Sequence, residues 1–278
     1  MPTIEANGTT LYYERRGDGP PLLFISGALG DAGYWTDVAD ELADTYTVIT
    51  YDRRANSRSP RPEGYSEAPI GEQADDAAAL LGALDLVPAT VYGNSQGAII
   101  LTDLVLRHPD VVRAAVLHEP PYVAMTSDPD TLNATLQQMV GEAMERGGPP
   151  MAVEAFLRWV CGDAVYEALD PDLRARVLAN GEVLFGIEMA SLFDYMPDQA
   201  ELARVRVPCV VAAGVDNADP TAQHHWFHEA AVWLADRLGT RLVLLPGAHV
   251  PQATHPHELA TSLRPLLSEL EATRPVDA

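Results

Sequence analysis

A serine set between two glycines is the residue of this chain whose surroundings first suggest chemistry. Gly93-Asn94-Ser95-Gln96-Gly97 reads G-x-S-x-G, preceded by a short apolar strand at 90–92 and followed by an apolar helical pattern at 98–106. A strand that turns sharply into a helix presents its apex hydroxyl at the sheet edge, over a helix N-terminus that favours developing negative charge. Such a turn packs tightly and needs small flanking residues, which Gly93, Gly97 and Ala98 supply. The pentapeptide alone arises often by chance; between that strand and that helix it points to a nucleophile.

A serine hydroxyl is a weak nucleophile until a base accepts its proton. Of the eight histidines, His249 is the best placed, because it follows Leu244-Leu245-Pro246-Gly247-Ala248 on a loop just past a strand, at the same edge as Ser95. His118, at the end of the strand read over 111–117, is the nearest competitor. His108 lies at a helix end, His255 and His257 open the last helix, and His224, His225 and His228 share one helix as solvated or packing residues. An acid must hold the far nitrogen of the base and stabilise the imidazolium. Asp216, just after Ala212-Ala213-Gly214, is favoured because it gives the chain order Ser, Asp, His; Glu119 and Asp219 stand as alternatives. Acyl transfer also needs donors for an oxyanion. The backbone N–H groups of Gln96 and of Ala28, in the loop Ser26-Gly27-Ala28-Leu29-Gly30, are the expected pair.

These residues need elements to position them. Short solid apolar runs at 22–25, 46–51, 90–92 and 111–117 read as buried strands, separated by helical patterns at 34–42, 72–84 and 98–106. That alternation argues for a mostly parallel sheet with helices on both faces, an α/β fold. From about 128 to 204 only helical patterns follow, broken at Gly147-Gly148-Pro149-Pro150, Asp170-Pro171 and Gly181. Strands return at 209–213 and 242–245, with helices at 223–238 and 256–270, and the tail 273–278 reads as frayed. The expected division is a core of 1–121 and 205–278 carrying a helical cap of 122–204. The cap would sit over the carboxyl edge of the sheet, where open α/β sheets bind ligands. Leu29, Tyr34, Phe156, Trp159, Phe185, Met189 and Val250 are candidate lining residues of a mostly apolar pocket.

Composition narrows the function classes. Forty acidic residues face eighteen basic ones, all arginine, for a formal net charge of −22. Without lysine, Schiff-base chemistry and a P-loop are excluded. The negative field repels polyanions, so nucleic acid and anionic membranes are poor partners, and a neutral or cationic small molecule suits it better. Cys161 and Cys209 match no metal spacing, and no cofactor is implied. No run of 18 apolar residues exists to span a membrane, and residues 1–8 lack a signal-peptide pattern, so the cytoplasm is the simplest expected location. A homodimer is left open.

Over about 17–270 the chain resembles the α/β-hydrolase superfamily in its form with an inserted cap. The matching pieces are the loop 26–30, the segment Asp52-Arg53-Arg54-Ala55-Asn56-Ser57-Arg58-Ser59, the elbow, Gly214-Val215-Asp216 and Gly247-Ala248-His249. Two departures stand out. The family loop usually opens His-Gly, here Ser26-Gly27. Ala55 and Ser57 replace the glycines of D-x-R-G-x-G-x-S, so Asn56 is expected to take the left-handed conformation instead. Members of the dehalogenase and epoxide-hydrolase kind carry an aspartate at the elbow, which Ser95 makes unlike this chain. The resemblance implies hydrolysis of a carboxylic ester, lactone or thioester through an acyl-enzyme. It also admits a cofactor-free perhydrolase, a lyase or cyclase on a polyketide-like metabolite, and a catalytically silent binder of a hydrophobic ligand.

Overall fold

In the computed structural model, residues 2–273 are described; Met1 and residues 274–278, most of the tail expected to fray, lie outside them. Eight strands form one sheet: β1 (Thr3–Ala6), β2 (Thr9–Arg16), β3 (Pro21–Ile25), β4 (Thr47–Tyr51), β5 (Ala89–Asn94), β6 (Val112–His118), β7 (Cys209–Gly214) and β8 (Leu242–Leu245). Their order is β1-β2-β4-β3-β5-β6-β7-β8. The β1–β2 and β2–β4 pairs are antiparallel, and the remaining pairs are parallel. The fold is the expected α/β-hydrolase arrangement. Sequence reading missed β1, whose four residues TIEA are half polar and largely exposed at the sheet edge.

The inner strands are mostly apolar and buried because both faces are covered. Along them the side chains alternate between two cores. Leu23, Ile25, Ile49, Val91 and Leu117 pack with helices α2 (Ile70–Ala83), α3 (Gln96–Arg107) and α10 (His225–Leu238). Leu22, Phe24, Val48, Tyr92 and Val116 pack with α1 (Thr36–Leu42) and α12 (Pro256–Ala272).

Between β6 and β7 the described residues are helical or irregular, without a strand. The long α4 (Pro129–Cys161) bends at Gly147 and Gly148, whose dihedrals leave the helical region just ahead of Pro149 and Pro150. Then come α5 (Asp163–Ala168), α6 (Pro171–Ala179) with Asp170 as its cap, and α7 (Gly181–Val183). One turn of π-helix, Leu184–Glu188, leads into α8 (Met189–Asp194) and then α9 (Gln199–Leu202). The short α11 (Pro251–Thr254) precedes α12. No helix among the described residues is long and apolar enough to cross a membrane.

From β3 the chain moves outward to β4, then returns across β3 to β5 on its other side. The boundary of β3 and β5 is therefore the switch point of the sheet. Loops leaving the carboxyl ends of these two strands diverge there and open a crevice. Those loops are 26–30 and the Ser95 turn.

Candidate active site

Ser95 stands between β5 and α3 with φ 57° and ψ −126°, a conformation that L-residues rarely adopt. Its N–H donates to the His118 carbonyl at 2.9 Å. The turn closes so tightly that two positions admit only glycine. A Cβ on Gly97 would lie 2.1 Å from the Ile25 oxygen, and one on Gly93 would lie 2.4 Å from the Gly97 oxygen. The β3 loop lies directly on the serine, since a Cβ on Gly27 would come within 2.8 Å of Ser95 Cβ.

His249 follows β8 and is 4% exposed. Its ring stacks on Phe227, with centroids 3.5 Å apart and planes 13° from parallel. Its carbonyl accepts from Asn94 Nδ2 at 2.9 Å, which ties the loop to the elbow. Nδ1 lies 2.8 Å from Glu119 Oε2. With Nδ1–H donated to a carboxylate, Nε2 is left to accept a proton.

The carboxylate that meets His249 is thus Glu119, the alternative, and not Asp216, the favoured expectation. β7 ends at Gly214, and the following turn, Val215–Ala218, carries Asp216 outward into solvent. The Asp216 N–H donates to the Gly247 oxygen, but its carboxylate has no hydrogen-bond or ion-pair partner among the described residues. Asp219 is also exposed and holds the N–H and hydroxyl of Thr221. Glu119 leaves β6 with φ 46°, an unusual value ahead of Pro120, and turns inward to complete burial. Its oxygens accept from the Gly214 N–H at 2.8 Å and from Asn217 Nδ2 at 3.0 Å, as well as from His249. Burial pushes the Glu119 carboxyl up, yet the bond from His249, the neighbouring His118 and His249 rings and the Asn217 amide outweigh it, and the net direction is down. The sequence signal was a single carboxylate ending an apolar strand that borders the strand of the elbow.

His118 is fully buried, with Nδ1 3.2 Å from Asn94 Nδ2. Burial, reinforced by His249 and opposed by Glu119, pushes its ring down to about 4. It is neutral near pH 7.

Both expected oxyanion donors are available. Gln96 opens α3, where N–H groups lack partners within the helix. The Ala28 N–H has no partner among the described residues, and Ala28 lines the same cavity as Ser95 and His249. That cavity, about 390 Å³, is walled by Phe156, Trp159, Phe185 and Met189 from the inserted helices, as expected, and by Trp226 and Phe227 from α10, which sequence reading missed. A smaller cavity of about 50 Å³ adjoins the same Ser95, His249 and Phe156 and includes Tyr34 and Val250. Leu29 lines neither. Its φ of 68° turns it into a fully buried cluster with Val153, Leu157 and Leu173.

The segment after β4 carries a second correction. Ala55 (φ 64°) and Ser57 (φ 51°) take the left-handed conformation, and Asn56 does not. Asn180 secures the turn: its Oδ1 accepts from the Ser57 N–H at 2.7 Å, and its Nδ2 donates to Ser57 Oγ and to the Leu29 carbonyl, both at 2.8 Å. Asn56 instead donates to the Arg54 carbonyl and to Glu188.

The switched sheet, the elbow and the inserted helices define an α/β-hydrolase fold. Residues 20–153 match the family model described as alpha/beta hydrolase fold. The chain is 30% identical over 271 residues to an uncharacterized hydrolase, YraK, of Bacillus subtilis (strain 168), covering 96% of each chain. It is 30% identical over 258 residues to the zearalenone hydrolase of Bionectria ochroleuca, covering 91% of this chain and 92% of that one. A solved structure, Est816, described as an N-acyl homoserine lactone degrading enzyme, superposes with a TM-score of 0.66 at 25% identity, over 95% of this chain and 99% of that one. The chain belongs to the α/β-hydrolase family.

Proposed function

We propose that this protein is a serine hydrolase of carboxylic esters, lactones or thioesters whose acyl or ring portion is apolar and uncharged. The observation that carries this reading is the 2.8 Å contact of the buried Glu119 with His249, whose ring lines the same cavity as the strained Ser95. Ser95 Oγ attacks the carbonyl carbon while His249 Nε2 takes its proton. Glu119 holds Nδ1 and stabilises the imidazolium, and the N–H groups of Ala28 and Gln96 receive the oxyanion. Collapse expels the alcohol or thiol, which takes the proton back from His249 and leaves an acyl-Ser95 ester. Water then repeats the sequence and releases the acid. Segment 122–204 acts as the cap, lending the apolar wall of the 390 Å³ cavity. The similar structure described as a lactone-degrading enzyme supports cyclic esters within the class.

Intact-mass spectrometry under turnover with p-nitrophenyl acetate should show an acyl adduct on the wild type and none on Ser95→Ala. Turnover should drop by about 10³-fold or more in that variant. Equal turnover in the two proteins would favour a silent ligand binder, and Ser95-dependent turnover without an adduct would favour direct attack of water in place of the acyl-enzyme.

A further inference from the structure

Beneath the oxyanion loop lies a buried ion pair with no place in the mechanism above. Arg53, the first residue after Asp52 at the end of β4, is 1% exposed, and Glu188, from the π-helical turn of the insertion, has a fully buried side chain. The pair is bidentate, with Nη1 2.7 Å from Oε1 and Nη2 3.0 Å from Oε2. Asn56 Nδ2 also donates to Oε1 at 3.0 Å, and Arg53 Nη1 contacts the Gln73 amide oxygen. A π-helical turn holds one residue more than an α-helical one and so re-aims the side chains beyond it, here at the end that carries Glu188.

Nη2, besides its bond to Glu188, reaches the peptide of one proposed oxyanion donor and the side chain of the residue that carries the other. Nη2 donates to the Gly27 carbonyl at 3.0 Å and to Gln96 Oε1 at 3.4 Å. The Gly27 carbonyl and the Ala28 N–H belong to one peptide unit. A cation bonded to the oxygen of an amide draws electron density from its nitrogen and makes the N–H a stronger donor. The same carbonyl accepts the Gly30 N–H at 3.2 Å, so the peptide is held from two sides. Gly30 makes room for this: its φ is 26°, and a Cβ there would lie 2.9 Å from Arg53 Nε.

We propose that Arg53 is a positioning residue for the oxyanion hole, polarising the Gly27–Ala28 peptide and steadying Gln96, and that Glu188 of the inserted helices holds it in place. The inference rests on the serine-hydrolase reading above. A guanidinium buried without its carboxylate is strongly unfavourable, so the insertion does more than wall the cavity: it completes the charge balance under the donor peptide. An ion pair serving only to fasten the insertion would change stability and access to the cavity, and would leave the stabilisation of the oxyanion untouched.

The test compares the wild type with Arg53→Lys, Glu188→Gln and the double variant Arg53→Met/Glu188→Met. The double variant removes both charges together and leaves no lone buried ion. With p-nitrophenyl acetate its kcat should fall by roughly 10- to 100-fold, less than the loss of a whole donor, while KM stays within about twofold. Affinity for a trifluoromethyl ketone, whose serine adduct bears the oxyanion, should weaken by the same factor as kcat. A folded double variant with wild-type kcat and ketone affinity, or one in which only KM changes, overturns the proposal. If the double variant does not fold, Arg53→Lys decides, since it keeps the charge but loses the planar fork, and the same split between kcat and KM is required of it. Ser95→Ala separates the two failures. If it remains active, the hydrolase reading itself is wrong; if it is inactive while the Arg53 variants are unimpaired, only this inference falls.

Discussion

The two sides of the cavity are built on different physical principles. On the sheet side, each chemical group is fixed by several directional bonds. Glu119 accepts from Gly214, Asn217 and His249; His249 is stacked on Phe227; and Asn94 ties the His249 loop to the elbow. On the insertion side, the wall consists of Phe156, Trp159, Phe185 and Met189, joined to their surroundings mainly by apolar contact. Directional bonds in a dry interior set geometry, whereas apolar packing sets volume and tolerates exchange. Changes on the sheet side should therefore act on kcat, and changes in the apolar wall on which substrates fit; Glu188, which reaches from the insertion to Arg53, belongs with the sheet side.

The largest effect that can break this contrast lies within the sheet side. Glu119→Gln keeps the shape but removes the charge that stabilises the imidazolium, and kcat should fall by about 10³-fold or more. Asp216→Asn, at an exposed carboxylate with no partner among the described residues, should stay within about twofold of the wild type. Steady-state kinetics on the two variants is the measurement. The opposite ranking would return Asp216 to the acid's role and dissolve the geometric argument.

A second effect is thermodynamic. The folded value of His118, about 4, lies below its ordinary 6.5, so the unfolded chain binds a proton that the folded one refuses. The stability owed to keeping this ring neutral is complete above pH 6.5 and shrinks as the pH falls toward 4. The shift corresponds to about 3 kcal/mol over that interval. Glu119 is displaced in the same direction, in a lower pH range. Its folded value is lowered, so its contribution is present above the ordinary 4.5 and is lost as the pH falls below it. Denaturant titrations from pH 7 to 4 should show this loss in the wild type and a flatter dependence in His118→Gln. A parallel dependence in the two proteins would mean that the ring is not held neutral.

How much of this was legible in the residues follows the same division. Strands covered on both faces, such as Leu22 to Ile25 and Thr47 to Tyr51, announce themselves as apolar runs, and the elbow is legible because strand, tight turn and helix occur within one short span. β1 was invisible because a short antiparallel edge strand needs no apolar run. Which carboxylate meets His249 was hidden for a reason of the same kind. Chain order placed carboxylates after both β6 and β7, and only the turn at Val215–Ala218 and the inward φ of Glu119 decide which one faces His249. Those are properties of two backbone dihedrals, which residue type does not encode. Ala55 and Ser57 teach this again, because their left-handed turn is secured by Asn180, more than 120 residues downstream. Contacts across such a separation leave no local pattern. Trp226 and Phe227 were missed because they read as the ordinary amphipathic start of α10, though they reach the cavity.

The smallest effect sharpens the contrast from the insertion side. Trp159 is half-buried in the wall of the large cavity, its ring edge-on to His224 at 4.5 Å and roughly parallel to Trp226 at 6.3 Å, while its carbonyl lies 2.7 Å from His224 Nε2. Trp159→Ala removes the indole and leaves that carbonyl, so the backbone attachment to His224 survives. An ester with a long acyl chain that fills the 390 Å³ cavity loses apolar contact worth about 1–2 kcal/mol, and its KM should rise by roughly 10-fold. Acetate esters, whose short acyl group fills little of the cavity, should keep both kcat and KM within about twofold. A uniform fall in kcat for short and long substrates alike would show that the wall also positions the reacting groups, and the separation of roles between sheet and insertion would then fail at this residue.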